Sequence, residues 1–289
     1  MFYFIFSLLL FCFPTPEHPL EKEIQNIIQG QNATIGVAVI SDNDERILVN
    51  DTLHYPLMSV YKFHLALAVL DHLEKNGQSL ETKIHITPGD LLPDTYSPLR
   101  DKRPQGNFDI TIRQLLEYSV AQSDNNACDI LFRYTGGPRV TEQYIRNLGI
   151  TGFFIEATEE EMHRKSGNPY VNWTRPSSAA ELVKIFMQKT PLSAVHQEFL
   201  KKTMISTVTG PNKLKGGLPA GTVIGHKTGN SDRNEAGVKA ADNDLGFVRL
   251  PNGKEYYIAV FVMDSKESDT ENAQIIAQIS NAVYNYFNR

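Results

Sequence analysis

The chain lacks most of the features that mark several functional classes. It has two cysteines, Cys12 and Cys128, in 289 residues, which is too few for a disulfide framework. Cys128 stands among Ala127, Ile130 and Leu131, the setting of a buried, inert thiol. Basic residues are outnumbered, 28 Lys and Arg against 33 Asp and Glu, and the formal net charge is -5. No basic run exceeds two residues, so neither a nucleic-acid partner nor a polybasic membrane surface is expected. The eight histidines form no H-E-x-x-H or H-x-H pattern; no metal and no other cofactor is expected. Internal repeats and low-complexity segments are absent. The one long apolar run is MFYFIFSLLLFCF at Met1–Phe13, shorter than the ~20 residues that span a bilayer. With Pro14-Thr15-Pro16 behind it, it reads as the apolar region of a signal peptide over residues 1–16. No Lys or Arg precedes it and no A-x-A site follows, so a buried N-terminal strand is the alternative. Phe11 is bulky where lipoprotein processing at Cys12 would want a small residue. Removal of 1–16 implies a secreted or periplasmic monomer without a stable membrane span.

What is present is ordered along the chain. Two β-rich runs, 35–40 and 46–50, flank Ser41-Asp42-Asn43-Asp44 and predict a hairpin. Val60 to Lys75 predicts a helix apolar on most sides, hence buried, ending at Asn76-Gly77. Thr111 to Gln114 and Ser178 to Glu181 have the form of capping boxes. Pro138 suits a first helical turn, Gly149 a helix stop, and 195–204 another helix. Strand patterns return at 222–228, and at 245–250 and 256–263 around Pro251-Asn252-Gly253. Residues 271–287 then carry Ile275, Ile276, Ile279 and Val283 at helical spacing. The economical architecture is α/β: an antiparallel sheet from both chain ends, flanked by helices, with an all-helical lobe inserted. The expected lobes are 17–58 with 206–289, and 59–205, with a ligand cleft between them.

Three short motifs carry chemistry. Ser59-Val60-Tyr61-Lys62 opens the buried helix. A serine hydroxyl needs a base to become a nucleophile, and three residues on a helix put Lys62 on the face of Ser59. Free N–H groups at a helix start also favour negative charge. Alone, S-x-x-K arises by chance in a chain this long. Ser123-Asp124-Asn125, alone, reads as a plain helix cap. Lys227-Thr228-Gly229, alone, reads as a polar strand end with a turn glycine. Occurring together, in this order and these contexts, the three form the known signature of class A β-lactamases and penicillin-binding proteins.

Over nearly all of the mature chain the sequence resembles class A serine β-lactamases, in the branch of Bacteroides-type cephalosporinases and related extended-spectrum enzymes. The resemblance implies a two-lobed fold and hydrolysis of penicillins and cephalosporins through an acyl-enzyme on Ser59, giving antibiotic resistance. It implies Lys62 as base or proton relay and Ser123 as the group that passes a proton to the departing nitrogen. Asn125 would bond the substrate's amide, and Lys227 and Thr228 its carboxylate. Backbone N–H groups of Ser59 and Asn230 would form the oxyanion hole. Glu159, four residues before His163, matches the deacylating glutamate and its polar partner. Glu160 and Glu161 are expected to face solvent. Tyr96 matches an aromatic at the cleft mouth.

Five positions depart from the common pattern. His163 stands where most relatives carry Asn. Ala157 and Asn172 replace an Arg–Asp pair that ties the loop of Glu159, so that loop is expected to be held otherwise and to be more adaptable. Lys213 stands where an Arg commonly anchors the carboxylate, and it is a point charge instead of a fork. Asn230 replaces a small residue. The alternatives are a D-alanyl-D-alanine carboxypeptidase, which would not need Glu159, and a non-hydrolytic penicillin-binding receptor, for which no signalling domain is present.

Overall fold

The computed structural model describes residues 18–164 and 168–289; the expected signal segment, 1–16 with Cys12, lies outside them. The first element is a helix that the apolar pattern did not reveal, α1 (Pro19–Ile28), with only Leu20 and Ile24 buried. The expected hairpin follows as β1 (Thr34–Ser41) and β2 (Arg46–Val49), with Val37 opposite Val49. Short β3 (Tyr55–Pro56) leads through a 3-10 turn, Met58–Val60, into α2 (Tyr61–Lys75). Every residue of α2 from Tyr61 to Leu70 is buried. The helix stops where expected, with Gly77 at φ 61°.

The middle of the chain is mostly helical. β4 (Lys83–Ile86), α3 (Pro98–Lys102) and β5 (Phe108–Thr111) precede α4 (Ile112–Ala121), and β4 pairs with β5. Both reciprocal bonds of the Thr111–Gln114 capping box are formed. Next come α5 (Asn125–Thr135), α6 (Pro138–Asn147), β6 (Phe153–Phe154), α7 (Glu159–His163) and β7 (Trp173–Thr174). α8 (Pro176–Lys189) starts earlier than the Ser178–Glu181 pattern suggests, with Arg175 at the cap. Proline's fixed φ suits the first turn, so Pro176 sets the start and Ser178 falls inside it. α9 (Ala194–Ile205) completes this part.

The last third holds β8 (Val223–Asn230), β9 (Lys239–Arg249), β10 (Glu255–Ser265) and α10 (Asp269–Phe287). β9 begins six residues before the apolar pattern does, because Asp242, Asn243 and Asp244 are polar yet buried. Five strands form an antiparallel sheet in the order β2-β1-β10-β9-β8, so both ends of the chain supply it. The sheet is covered on both faces. Val37, Val39, Ile258 and Val260 pack with residues of α1 and α10, while Ala38, Ile40, Ala259 and Phe261 join the core of α2 and α8. Two buried faces make β1 a continuous apolar run instead of an alternating one. α8 lies against β1 and β10, and α9 against β8.

Candidate active site

The chemistry begins where β8 meets the start of α2. Gly229 is what permits the approach: a Cβ there would stand 2.7 Å from the Leu57 carbonyl and 3.1 Å from Val60 Cγ2. Asn243 of β9 fastens the same junction by donating from Nδ2 to the Pro56 carbonyl at 2.8 Å. The turn between β3 and α2 is strained, with Met58 at φ 45°. Such a conformation costs ~1–2 kcal/mol in a non-glycine residue and collects at functional sites. Ser123, at φ 60°, is the second strained residue beside the cleft.

The three motifs line or underlie one cleft of about 970 Å³, bordered by Ser59, Ser123, Asn125, Glu159, Thr228 and Asn230. Lys62 is completely buried below it. Its Nζ lies 2.8 Å from Ser59 Oγ, 2.9 Å from the Ser123 carbonyl, 2.5 Å from Asn125 Oδ1 and 2.9 Å from Glu159 Oε1. Glu159 is itself within 3.4 Å of Ser59 Oγ. Burial pushes the Glu159 carboxyl up, but the charge and hydrogen bond of Lys62 outweigh it and hold the group below its usual value. Lys227 donates to Ser123 Oγ and to the Thr228 carbonyl, both at 2.9 Å. Burial first, then the nearby charge of Lys62, pushes the Lys227 ammonium well below its ordinary range. Thr228 shares a 2.6 Å hydroxyl contact with Thr209.

In Ser123-Asp124-Asn125 the cap reading holds at Asp124, while Ser123 and Asn125 border the cleft. Asp124 caps α5 through the Ala127 N–H at 2.8 Å, and also accepts from the Leu99 N–H at 2.7 Å. This fixes Ser123 and Asn125 on either side. Asn125 donates from Nδ2 to Thr95 Oγ1 at 2.8 Å, and its backbone N–H donates to the Tyr96 carbonyl at 3.0 Å. The Tyr96 ring is 57% exposed at the cleft mouth.

The segment of Glu159 is held otherwise than by an Arg–Asp pair, as expected; residues 165–167 of the same loop lie outside the described ones. The Asn172 side chain accepts from the Glu156 and Ala157 N–H groups at 2.8 and 3.0 Å and donates back to the Ala157 carbonyl at 2.8 Å. Asp129 accepts from the Glu159 and Glu160 N–H groups at 2.9 and 2.8 Å. Burial, reinforced by the charge of Glu159, raises the Asp129 carboxyl to about 7. Sequence reasoning missed Asp129; its signal was a carboxylate four residues after Asn125 on the same helix face. Thr158 and Glu161 form a capping box at the start of α7, and Glu160 pairs with Arg164 at 3.1 Å. His163 donates from Nδ1 to the Glu159 carbonyl at 2.7 Å and stands 3.8 Å from its carboxylate. A carbonyl only accepts, so the neutral ring keeps Nε2 as an acceptor. His163 also borders the cleft.

At the opposite end Lys213 lines the cleft, but its ammonium is ion-paired with the buried Asp242 carboxylate and lies 3.3 Å from the Asn243 carbonyl. Asn230 closes β8, across from Asp242.

A model of the β-lactamase enzyme family matches residues 19–287. The chain belongs to that family. A β-lactamase of Bacteroides uniformis is 49% identical over 289 residues, spanning 98% of both chains. The extended-spectrum β-lactamase PER-1 of Pseudomonas aeruginosa is 42% identical over 268 residues, 92% of this chain and 87% of that one. The crystal structure of the TLA-1 extended-spectrum β-lactamase superposes with a TM-score of 0.92 at 46% identity, covering 93% of this chain and 98% of that one. The chain is a class A serine β-lactamase with the transpeptidase-like fold, a β-lactam hydrolase of the kind that confers antibiotic resistance. The three motifs read in the sequence thus line or underlie one cleft.

Proposed function

We propose that this β-lactamase hydrolyses penicillins and cephalosporins through an acyl-enzyme on Ser59. The observation that carries the assignment is the buried Lys62 ammonium, which touches both the Ser59 hydroxyl and the Glu159 carboxylate. Ser59 Oγ forms a bond to the lactam carbonyl carbon. Its proton leaves through Lys62, which can hand one on to Glu159 as it takes the serine's. The N–H groups of Ser59 and Asn230 receive the developing oxyanion, each worth ~3–4 kcal/mol in comparable acyl-transfer sites. Collapse breaks the carbon–nitrogen bond as Ser123, hydrogen-bonded to Lys227, gives its proton to the departing nitrogen and regains one from Glu159 by way of Lys62, which leaves the Glu159 carboxylate free again. Glu159 then takes a proton from water as that water attacks the ester, with His163 Nε2 beside it to hold the water; the bond from the carbonyl carbon to Ser59 Oγ breaks and the serine regains the proton from Glu159. A carboxypeptidase has no need of such a carboxylate next to its nucleophile.

The substrate's amide falls to Asn125 and its carboxylate to Lys227 and Thr228, with Lys213 as a further cation at that end and Tyr96 at the mouth. Cephalosporins, some with bulky oxyimino groups, are proposed as good substrates. Support comes from the 970 Å³ cleft and from relatives named extended-spectrum enzymes. We further propose that residues 1–16 direct export to the periplasm and are removed, and that the enzyme acts there as a monomer without nucleic-acid partners. No helix among the described residues is long and apolar enough to cross a membrane.

The test is turnover by the purified mature chain of benzylpenicillin, a first-generation cephalosporin and an oxyimino-cephalosporin. Ser59→Ala should lower kcat/KM by at least about 1,000-fold while the protein stays folded. Comparable turnover by that variant would overthrow the nucleophile. Cephalosporin rates at background beside a fast benzylpenicillin rate would overthrow the substrate range.

A further inference from the structure

The end of the cleft that faces the substrate's carboxylate carries a buried negative charge. Asp242 is 2% exposed and stands on β9 opposite Asn230, the last residue of β8. One of its oxygens pairs with Lys213; the other lies 3.1 Å from Lys239. Lys239 is shared with Asp269 at 3.0 Å, and Asp269 with Arg233 at 2.7 Å. Charges of alternating sign therefore run from the cleft to the start of α10.

Lys213 is close enough to matter to the substrate. At Gly210, φ 58°, a Cβ would stand 2.8 Å from Thr228 Cγ2 and 3.1 Å from Lys213 Cδ, so both side chains flank Gly210 at the cleft wall. Its ammonium already has a counter-ion. A second carboxylate arriving there must displace Asp242 or share the charge, and it also meets the repulsion of Asp242 itself. Lys227, by contrast, is fully buried with hydrogen bonds to a hydroxyl and a carbonyl, and among the described residues no carboxylate hydrogen-bonds to it.

We propose that Asp242 is a positioning residue that sets how strongly the enzyme favours anionic substrates, by withholding the charge of Lys213 from the substrate's carboxylate. This rests on the β-lactam hydrolysis proposed above. In the resting enzyme the Lys213–Asp242 pair is closed, and Lys213 aids binding only as far as Asp242 releases it. Removing the Asp242 charge leaves Lys239 its partner Asp269, while Lys213 keeps the Asn243 carbonyl but loses its counter-ion, so its charge is free for the substrate's carboxylate.

The experiment compares benzylpenicillin with its neutral methyl ester. In Asp242→Asn the acid-over-ester ratio of kcat/KM should rise about tenfold, between the roughly fivefold of a unit-charge pair in bulk water and the far larger effect of one at a protein surface, and the gain should lie in KM. Adding Lys213→Met to that variant should return the ratio to within about twofold of wild type, because the gain acts through Lys213. A purely structural effect would move acid and ester together. An unchanged or smaller ratio in Asp242→Asn, or a gain that survives Lys213→Met, would overturn the proposal. Should Asp242→Asn fail to fold, Lys213→Met in the wild-type background decides. There the ratio should fall less than about fivefold, since the charge is already engaged, and a larger fall would overturn the proposal. Wild type that hydrolyses neither probe would instead sink the underlying function, whereas turnover of both with a fixed ratio would sink the role of Asp242 alone.

Discussion

The two ends of the cleft use the same ingredient to different ends. At the Ser59 end, buried Lys62 pairs with buried Glu159; at the Asn230 end, buried Lys213 pairs with buried Asp242. Taken as ion pairs they are nearly alike, and neither is strong support for stability, since desolvation cancels much of the attraction. The difference lies in the third group. Lys62 and Glu159 have a serine hydroxyl between them, within 2.8 and 3.4 Å. Lys213 has the Asn243 carbonyl, and Asp242 has a second lysine. An ion pair becomes catalytic machinery when a group with a transferable proton is hydrogen-bonded to it. Without one it can only adjust the local field.

That contrast can be broken most directly by treating the two lysines alike. Lys62→Met should cost kcat/KM for benzylpenicillin about 1,000-fold or more, because serine activation and the Glu159 counter-ion are lost together. Lys213→Met should cost less than about fivefold and act mainly on KM. Steady-state kinetics of the two variants side by side would erase the distinction if the losses were similar.

The carboxylates sharpen it next. Glu159→Gln should slow deacylation by about 100- to 10,000-fold, the usual worth of a positioned general base. Mass spectrometry after mixing with benzylpenicillin should then find a persistent adduct on the intact chain. An adduct that disappears at the wild-type rate would move the base elsewhere. Asp242→Asn should accumulate no adduct in the same assay.

A smaller effect is expected where the loop is tied. Asn172→Ala removes three hydrogen bonds to the backbone of residues 156 and 157. Leaving those groups unpaired should cost about 2–3 kcal/mol, and Tm should fall by several degrees at roughly 2–4 °C per kcal/mol. Thermal melting checks this, and an unchanged Tm would mean the loop is held without Asn172.

The gentlest probe is pH. Glu159, held below its ordinary value by Lys62, keeps its charge as pH falls past the usual carboxylate range. Its stabilising contribution is present above the unfolded pKa and is lost as pH falls through the lower folded one. Asp129, raised to about 7 by burial and the charge of Glu159, has the opposite sign. Between its unfolded value of 3.8 and about 7 the folded state holds the extra proton. Wild type should therefore lose stability relative to Asp129→Asn as pH rises from 4 to 7. Denaturant melts at both pH values would show the gap moving that way; a constant or reversed gap would remove Asp129 from the titration.

By itself the sequence determined the elements that depend on local chemistry. The β1–β2 hairpin, the all-round apolar α2, the Thr111 capping box and the strands around Pro251-Asn252-Gly253 follow from turn residues and periodicity, and the three motifs stood in order in the linear chain. Ser59 and Lys62 could be paired from helix spacing alone, because three residues along a helix bring side chains together. Only the tertiary structure decided the contacts between distant segments. Asp129 reaching the Glu159 backbone, Asn172 replacing an ion pair with hydrogen bonds, and Asp242 closing on Lys213 join residues far apart in sequence. The early start of β9 was hidden for the same reason: Asp242, Asn243 and Asp244 are polar residues buried by partners elsewhere in the fold. A hydropathy pattern records what each residue prefers when alone. A buried polar group is stabilised by its partner, and only the folded chain brings that partner to it.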